Sequence, residues 1–505
     1  MRHRTLYVLL VTLLPVIAGC TGGSGAIGEP CSYHRDCNGQ LQCAGGVCAN
    51  RCQRAPECGD GYYCDMAGLC QLSAGQPGDE CVSETDCAPG LSCQIDDNDT
   101  VVPLVATCTE QNVGRPPGST CESDGECRNG TCALGHCLDL CGDTRDCSIG
   151  STCMEIPRVE DVSTKFTGCL PAHGTMTWPI PVSAPMANIV FPVPSAASSA
   201  SLVFHVDDPA QYVGALNVTS PRGQTLYNRP CTVTGCDPQA EFYANPVRHL
   251  PELGQSVLTM PSTPSIPFEA GAYHVQVASL RANGQLGSAI PQVTAVIRVD
   301  SALILDLHFY FLDLDDHPCK AAFGDDTLDS KTAQAGAGFQ SMFLGGMRSI
   351  MAHGGVTLGD LTYEDLRTHP DLDGLDVADA GALLELGGYS TGINVFFVRT
   401  LSPVGLQAFG PNPGPAGLAN TARSGIAISA DTLCYRSWDT LARLTAHEVA
   451  RYMGLYHNVE IDPQWRDKIE DSDDSPNNLM FYSELGGTEL SPGQREILTR
   501  SAVLR

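Results

Sequence analysis

The chain of 505 residues is poor in basic side chains. It has 29 lysines and arginines against 57 aspartates and glutamates, which gives a formal net charge of −28 at pH 7. Nucleic acids and anionic lipid surfaces would repel such a chain. The composition therefore argues against a nucleic-acid partner and favours a soluble, exported protein.

Long hydrophobic runs are missing beyond the first twenty residues. The apolar stretch at residues 6–17 follows the basic residues Arg2 and Arg4 and is too short to span a bilayer. Small residues, Ala18 and Gly19, come directly after it. This arrangement predicts a signal peptide over residues 1–19.

The end of that segment, Ile-Ala-Gly-Cys at residues 17–20, resembles the lipobox of bacterial lipoproteins. The resemblance implies that Cys20 becomes the lipidated first residue, followed by a flexible tether up to residue 30. Thr21, rather than aspartate, after the cysteine implies the outer membrane. An ordinary signal peptide with a chance cysteine is the alternative.

Large apolar residues are also scarce between residues 31 and 170, where most cysteines lie. Of the 25 cysteines, Cys20 aside, 25 − 1 = 24 remain, an even number that suits disulfides in an exported protein. Twenty of them form five groups of four, each opening with C-x5-C: 31, 37, 43, 48; 52, 58, 64, 70; 81, 87, 93, 108; 121, 127, 132, 137; and 141, 147, 153, 169. This internal repeat predicts small disulfide-rich modules with too few apolar residues for a core of their own.

Each group of four cysteines allows three pairings, and the sequence does not choose among them. Zinc is a weaker alternative, because zinc sites usually show C-x2-C or C-x4-C pairs. The units loosely resemble extracellular modules of the Dickkopf or EB type. Such modules imply either a rigid stalk or protein-binding surface, or a spacer without a partner.

The region from 175 to 300 shows short β-rich runs separated by proline, glycine, serine and asparagine, with no helical period of useful length. A turn signal, Ser-Pro-Arg-Gly, occupies residues 220–223. This pattern predicts an all-β sandwich. It resembles the accessory sandwich domains of secreted bacterial proteases. Cys231 and Cys236 are candidates for a small disulfide loop.

The last region, residues 301–505, alternates α and β signals. Residues 303–314 and 393–401 predict strands, and residues 338–355 predict a helix that stops at paired glycines. Residues 424–431 predict an edge strand. A further helix is predicted to begin near Ser437 and to end at Gly454, where a left-handed residue is needed. We expect a C-terminal α/β domain here, which makes the protein multidomain.

The segment HEVARYMGLYH, residues 447–457, carries the most chemistry. Residues four apart share one face of a helix, so positions 447 and 451 can approach one ligand, and Gly454 lets the chain reverse toward His457. The spacing resembles the metzincin motif HExxHxxGxxH of zinc proteases. That resemblance implies zinc ligands at His447 and His457 and a general base at Glu448.

Downstream residues extend the resemblance to the metzincins. Met480, in NNLMFY, matches the Met-turn residue, and Tyr482 matches the tyrosine that stabilises an oxyanion in some members. The surrounding sequence is most similar to the pappalysin and cytophagalysin branch. The implied fold is a metzincin-like domain over residues 301–505.

Arg451 stands where the motif has its second histidine. A guanidinium has no lone pair to offer a metal, and two histidines alone hold zinc weakly. Arg451 is also in helical reach of Glu448 and can neutralise that carboxylate. The residues therefore make zinc doubtful and predict an impaired catalytic site.

Replacement ligands would change that prediction. The candidates are His317, His353, Glu460 and Asp462, none of which is in helical register with His447. Calcium is a second and weaker metal candidate: Asp371, Asp373 and Asp376 resemble a calcium loop faintly, but its closing glutamate is missing, so a solvated acidic loop is preferred. We also predict a disulfide between Cys319 and Cys434.

Two functions remain from the sequence. The first is a lipid-anchored pseudoprotease that binds proteins or peptides at the cell envelope without cutting them. The alternative is an active, atypical zinc metalloendopeptidase in which Glu448 activates a water and Tyr482 assists. Stoichiometric zinc with chelator-sensitive cleavage would distinguish the second from the first.

Overall fold

The structure, a computed structural model, describes residues 29–505 with short exceptions. The exceptions are 34–35, 39–40, 45–46, 53–62, 65–67, 72–74, 96–104, 158–164, 231–236, 300–301, 313, 316, 324–326, 370–371 and 373. The predicted signal peptide, the lipidation residue Cys20 and the candidate pair Cys231 and Cys236 lie outside the described residues. Within the described ranges, no helix is long and apolar enough to cross a membrane.

The described chain is a mostly β protein of several sheets with many disulfides, and it divides into two compact units. The first unit consists of Met1–Asp96 and Val105–Glu110, and the second of Asp97–Leu104 and Gln111–Arg505. The strands of the first unit are short: β1 Gln42–Ala44, β2 Val47–Ala49, β3 Tyr63–Cys64, β4 Cys70–Gln71, β5 Glu80–Cys81, β6 Leu91–Ile95 and β7 Ala106–Glu110. Their pairings are antiparallel.

The disulfides follow one rule in the four repeats for which both bonds are described. The first cysteine pairs with the third, and the second with the fourth. The bonds are Cys31–Cys43, Cys37–Cys48, Cys81–Cys93, Cys87–Cys108, Cys121–Cys132, Cys127–Cys137, Cys141–Cys153 and Cys147–Cys169. The structure thus selects one of the three pairings that the sequence left open.

The fourth and fifth repeats belong to the second unit and carry strands β8 Cys132–Ala133, β9 His136–Cys137, β10 Ser151–Pro157 and β11 Lys165–Pro171. They contribute apolar side chains to the core of the region that follows. These side chains are Leu134, Leu138, Met154, Ile156 and Leu170. The two repeats are therefore stabilised by shared burial as well as by disulfides.

Residues 175–299, here called the two-sheet region, form two antiparallel sheets around one core. Its strands are β12 Thr175–Ile180, β13 Met186–Val193, β14 Ser199–His205, β15 Tyr212–Thr219, β16 Thr225–Asn228, β17 Glu252–Leu253, β18 Gln255–Met260, β19 Gly271–Leu280 and β20 Gln292–Arg298. The sheet orders are β12-β20-β14-β18 and β13-β19-β15-β16, with β17 paired to β15.

A short helix, α1 Pro238–Ala244, interrupts the two-sheet region. No helical period in the sequence predicts a helix there. The Asp237 side chain accepts hydrogen bonds from the first backbone N–H groups of α1, and Pro238 fits the first helical turn, where no N–H is needed. An Asp-Pro pair was the available signal for this helix, but the helix is too short for its periodicity to be read from the sequence.

Residues 302–505, here called the C-terminal region, contain a five-stranded mixed sheet flanked by helices. Its elements are β21 Ile304–Phe311, α2 Ser330–Ala335, α3 Leu344–His353, β22 Thr357–Asp365, β23 Gly374–Asp376, α4 Ala380–Leu384, β24 Ile393–Val398, β25 Thr400–Ser402, β26 Ala408–Phe409, β27 Ile426–Ser429, α5 Trp438–Tyr452 and α6 Pro492–Thr499. A π-helical turn, Gly338–Phe343, precedes α3. The sheet order is β22-β21-β24-β27-β26, and β26 alone runs antiparallel to its neighbour.

The edge-strand prediction for residues 424–431 was wrong. Strand β27 lies inside the sheet between β24 and β26, and all four of its residues are buried. An uninterrupted apolar run is typical of a strand covered on both faces, whereas an edge strand usually carries polar residues. The edge is β26, which is only two residues long and leaves little pattern in the sequence.

Helices α3 and α5 share the main core of the C-terminal region with strands β21, β24 and β27. An aromatic cluster joins the sheet to both helical segments: Phe309, Phe339, Phe343, Phe397 and Trp438. Its interlocking rings fix the position of α5, the helix that carries His447, against the sheet.

Candidate functional site

Helix α5 begins and ends where the sequence predicts. The Ser437 hydroxyl accepts a hydrogen bond from the Thr440 N–H at 3.3 Å, which satisfies one of the free donors of the first turn. At the other end Gly454 adopts a φ of +107°, and Leu455 N–H donates to the Ala450 carbonyl at 3.0 Å. This glycine cap reverses the chain. The reversal places the ring of His457 with its centroid 5.2 Å from that of His447.

Both histidines are oriented through their Nδ1 atoms. His447 Nδ1 lies 2.7 Å from the carbonyl oxygen of Leu479, and His457 Nδ1 lies 3.0 Å from a carboxylate oxygen of Glu460. Because these oxygens only accept, each Nδ1 carries the proton. Burial lowers the pKa of His447 well below its usual value, and the nearby charges of His457, Arg443 and Arg451 lower it further. His447 is therefore neutral, with the lone pair on Nε2.

Arg451 pairs with Glu448, as the sequence analysis proposed. Its Nη1 atom lies 3.1 Å and 3.4 Å from the two carboxylate oxygens of Glu448. The Glu448 side chain is 8% exposed and that of Arg451 is 25% exposed. A carboxylate in this environment needs a partner, and the guanidinium supplies it. The group expected to act as a base is therefore already neutralised by a fixed positive charge.

The donor set does not fit a catalytic zinc ion, which takes three protein ligands. Among the described residues, no group of three His, Cys, Asp or Glu ligand atoms within 4.8 Å of one another includes His447 or His457. The cysteine groups that meet this distance consist of disulfide-bonded residues, one of them joined by His317.

The four replacement ligands named from the sequence lie in other environments. Glu460 accepts a hydrogen bond from Nδ1 of His457 and so orients the imidazole ring without facing its Nε2 atom. His317 accepts a hydrogen bond from the Cys319 N–H, and its Nε2 lies 3.2 Å from Asp431. His353 is exposed at the end of α3, and Asp462 is an exposed residue that accepts from the Gln464 N–H.

The remaining candidates from the sequence are a cysteine pair and an acidic loop. Cys319 and Cys434 form a disulfide with Cα atoms 5.2 Å apart, which ties the segment after β21 to the segment before α5. Asp376 caps a short helical turn by accepting from the Ala378 N–H, while Asp371 and Asp373 lie outside the described residues. A helix-capping carboxylate of this kind is common in loops, and the preference for an acidic loop over a calcium site stays a prediction.

The floor of the site is the segment 479–487, which includes Met480 and Tyr482. Met480 is fully buried, its N–H donates to the Asn478 side chain at 2.8 Å, and its carbonyl accepts from the Asn458 N–H at 3.2 Å. Tyr482 is 40% exposed and its ring packs beside that of Phe481. The methionine thus lies in a rigid, buried turn, whereas the tyrosine lies at the surface.

Arg443 holds this floor and was not among the site residues predicted from the sequence. Its buried guanidinium donates to four backbone carbonyls at 2.9–3.2 Å: those of Leu479, Phe481, Ser483 and Gly487. Burial lowers its pKa to about 10, so it remains charged near neutral pH. Arg443 lies one helical turn before His447, and a lone arginine on the buried face of α5 was the signal that could have found it.

The two-sheet region packs against the His457 side of the site. Tyr243, in α1, donates to Glu460 at 3.1 Å and stacks on Trp465 with ring centroids 5.1 Å apart. Burial raises the pKa of Glu460, but hydrogen bonds from His457 and Tyr243 and the charge of Arg451 outweigh it and leave that pKa below its usual value. A residue of another region therefore helps to orient His457.

Strand β26 lies beside the Glu448–Arg451 pair. A Cβ atom placed on Gly410, directly after β26, would lie 3.3 Å from a carboxylate oxygen of Glu448. At the start of the strand, Gln407 donates to Glu484 on the floor, and Arg436 binds the same carboxylate. The edge strand and the floor are thus joined at one end of the site.

Comparisons with known proteins give distant similarities to solved structures alone. No family model and no curated protein matches the chain. Among solved structures, archaemetzincin from Methanopyrus kandleri matches at 15% identity with a TM-score of 0.25, and the match covers 40% of this chain and 98% of that chain. A similarity at that level gives no support to any particular function.

Proposed function

We propose that the protein is an exported, lipid-anchored pseudoprotease. In this proposal Cys20 holds it at the outer membrane, and the metzincin-like C-terminal region binds proteins or peptides without cutting them. The ion pair between Arg451 and Glu448 carries the proposal. It places a group that cannot bind metal at the missing ligand position and neutralises the carboxylate that would activate water.

The residues around that pair favour a retained binding site over a site that has lost its function. The floor is held by Arg443, and both histidines are fixed through Nδ1. A domain that had lost all use for its cleft would have no need for such fixed polar groups, whose burial is costly unless each one is satisfied. These fixed polar groups support the proposal that this part of the C-terminal region recognises a protein or peptide.

The second candidate is an active, atypical metalloendopeptidase. One observation favours it: His447 is neutral and keeps its Nε2 lone pair, which is the form that a metal ligand needs. The metalloendopeptidase function requires a third zinc ligand that is not among the residues considered above. It also requires Glu448 to be released from its ion pair with Arg451.

A proteolysis assay on the full-length protein tests the proposal. We expect a quenched fluorescent peptide library to remain uncut with and without added zinc. Arg451→His restores a possible ligand and frees Glu448, so this variant is expected to gain chelator-sensitive cleavage. Arg451→Lys, which keeps the charge and supplies no neutral ligand, is the matched control and should stay inactive. Chelator-sensitive cleavage by the wild-type protein would overturn the proposal.

A further inference from the structure

A second cluster of metal-ligand side chains lies just before helix α5. It consists of His317, Cys319 and Cys434, whose ligand atoms all lie within 4.8 Å of one another. Among the described groups with this spacing it alone contains a histidine, and the other groups consist of repeat cysteines. The cluster shares no residue with the site of His447 and His457.

His317 gives the cluster a buried, neutral imidazole. Its side chain is 0% exposed, and its Nδ1 atom accepts a hydrogen bond from the Cys319 N–H at 3.1 Å. Burial lowers the pKa of His317 and outweighs the opposing charge of Asp431. The ring is therefore neutral near pH 7 with its lone pair on Nδ1, which is the form that binds a metal.

Asp431 lies at the other ring nitrogen. Its Oδ1 atom lies 3.2 Å from His317 Nε2 and 3.8 Å from Cys434 Sγ. The contact with Nε2 is not aligned for a hydrogen bond while the disulfide is intact, and unsatisfied buried nitrogens of this kind occur at redox and metal sites. A carboxylate facing the far nitrogen is also the usual companion of a histidine ligand, because it fixes the tautomer that leaves the other nitrogen free.

Cys434 is the accessible end of the disulfide with Cys319. Among the cysteines of the disulfides that the structure describes, it alone is exposed, whereas the others are buried or half-buried. Thiol–disulfide exchange requires a thiolate to reach one of the two sulfurs. The Cys319–Cys434 bond is therefore expected to open before the bonds of the repeats.

Opening the bond requires a reductant, and a dithiol is the class that fits. An exported protein meets oxidising conditions, so the disulfide is the resting form. A dithiol transfers two electrons and two protons, becomes a disulfide itself, and leaves Cys319 and Cys434 as thiols. A zinc ion binds such sulfurs as thiolates, and the two protons pass to solvent.

The reduced sulfurs need only a small movement to hold one metal ion. Two sulfurs on a tetrahedral zinc, each about 2.3 Å from it, are about 3.8 Å apart. The Cα atoms of Cys319 and Cys434 are 5.2 Å apart, and rotation about the Cα–Cβ bonds separates the sulfurs by this amount. The backbone segments can therefore stay in place.

We propose that His317, Cys319 and Cys434 bind a zinc ion when a dithiol reduces the Cys319–Cys434 bond. Two thiolates and Nδ1 of His317 are the protein ligands, a water molecule takes the fourth position, and Asp431 orients the imidazole. The zinc then replaces the disulfide as the link between the segment after β21 and the segment before α5. This site goes beyond the proposed function, because it needs neither Glu448 nor Arg451.

The test loads cobalt(II), a spectroscopic substitute for zinc, into the full-length protein before and after reduction. One equivalent of dithiothreitol is added without oxygen and removed before the metal, and iodoacetamide labelling with peptide mass mapping locates the opened bond. We expect the label at Cys319 and Cys434 and one bound cobalt ion per chain with sulfur-to-cobalt charge-transfer absorption. Added zinc should abolish that absorption, and the oxidised protein should never show it.

Variants of the ligands identify the site. Cys319→Ser combined with Cys434→Ser should abolish the charge-transfer absorption. His317→Gln should weaken cobalt binding by the reduced protein about tenfold or more. His353→Gln, exposed at the end of α3, is the matched control and should bind cobalt as the wild type does. Thermal melting of the oxidised proteins shows which variants fold.

A variant of Asp431 tests its positioning role and does not depend on His317→Gln folding. Asp431→Asn should keep the charge-transfer absorption, because both thiolates remain, and should weaken cobalt binding about tenfold. Asp439→Asn, exposed in the first turn of α5, is the control and should leave the affinity unchanged.

Three results would overturn the zinc site. They are label on repeat cysteines in place of Cys319 and Cys434, no charge-transfer absorption in the reduced wild type, and wild-type affinity in His317→Gln. If His317→Gln does not fold, wild-type affinity in Asp431→Asn decides against the site instead. The peptide-cleavage assay of the proposed function uses the oxidised protein, so the two proposals fail separately.

Discussion

The floor of the site and the position of the missing ligand are stabilised in different ways. On the floor, one buried guanidinium, that of Arg443, binds four backbone carbonyls of a single segment. At the ligand position, another guanidinium, that of Arg451, binds one buried carboxylate, that of Glu448. The floor therefore needs no metal to keep its shape. The difference teaches that the floor keeps its shape through backbone contacts that do not involve the residue at position 451.

The largest expected effect comes from removing Arg443. Arg443→Met leaves four carbonyls of the floor without their donor, and we expect the free energy of unfolding to fall by about 3–5 kcal/mol. Arg495→Met, at an exposed position on α6, is the control and should change it by less than about 0.5 kcal/mol. Denaturant unfolding measures both. Equal stability of the two variants would show that the floor is held by something else.

The second effect is a loss of stability in acid. Burial depresses the pKa of His447, and burial lowers the pKa of His249 in the two-sheet region to about 4. In each case the unfolded chain binds a proton near pH 6.5 and the folded chain does not. The free energy of unfolding is thus unaffected by these groups above pH 7 and falls as pH drops from 6.5 toward 4, by about 3 kcal/mol for His249 alone.

Unfolding curves between pH 8 and pH 4 check this dependence. His249→Gln and His447→Gln should each flatten the acid limb, because glutamine does not titrate. A wild-type free energy of unfolding that stays constant from pH 7 to pH 4 would mean that these histidines are not held neutral.

The third effect concerns the ligand position. Arg451→Met leaves the Glu448 carboxylate buried without a partner and is expected to cost about 1–3 kcal/mol. Adding Glu448→Met should restore most of that loss, since neither charge then remains. Arg466→Met breaks the exposed pair with Asp474 and is the control, with an expected cost below about 1 kcal/mol. A double variant no more stable than Arg451→Met alone would contradict a direct pairing.

The smallest effect is expected at the contact between regions. Tyr243→Phe removes the hydrogen bond to Glu460 and should cost about 0.5–1.5 kcal/mol. It should also shift the side-chain nitrogen resonances of His457, which Glu460 orients, and leave those of His447 unchanged. Tyr435→Phe, at an exposed tyrosine, is the control. Unchanged His457 resonances would mean that Tyr243 is only a packing residue.

The sequence predicted the features that depend on neighbours along the chain. Ser437, Gly454 and the return of His457 follow from helical spacing and capping, and the pairing of Arg451 with Glu448 follows from positions three apart. These rules involve few residues, so one sequence is enough to apply them.

Features that join distant segments were not predictable in the same way. Arg443 contacts carbonyls about forty positions away, and Tyr243 contacts Glu460 across 217 positions. The edge strand was misplaced because β26 has only two residues. Disulfide pairing within each repeat also needed the fold, since all three connectivities fit the same spacing.

In the proposed function, Arg451 is the group that excludes a metal from the site. Isothermal titration of zinc into the metal-free, full-length protein, wild type beside Arg451→His, tests that directly. We predict no stoichiometric binding at the site in the wild type and one zinc ion per chain in the variant, since the third ligand is then present. Tight binding of one zinc ion by the wild type, lost in His447→Gln, would contradict the account.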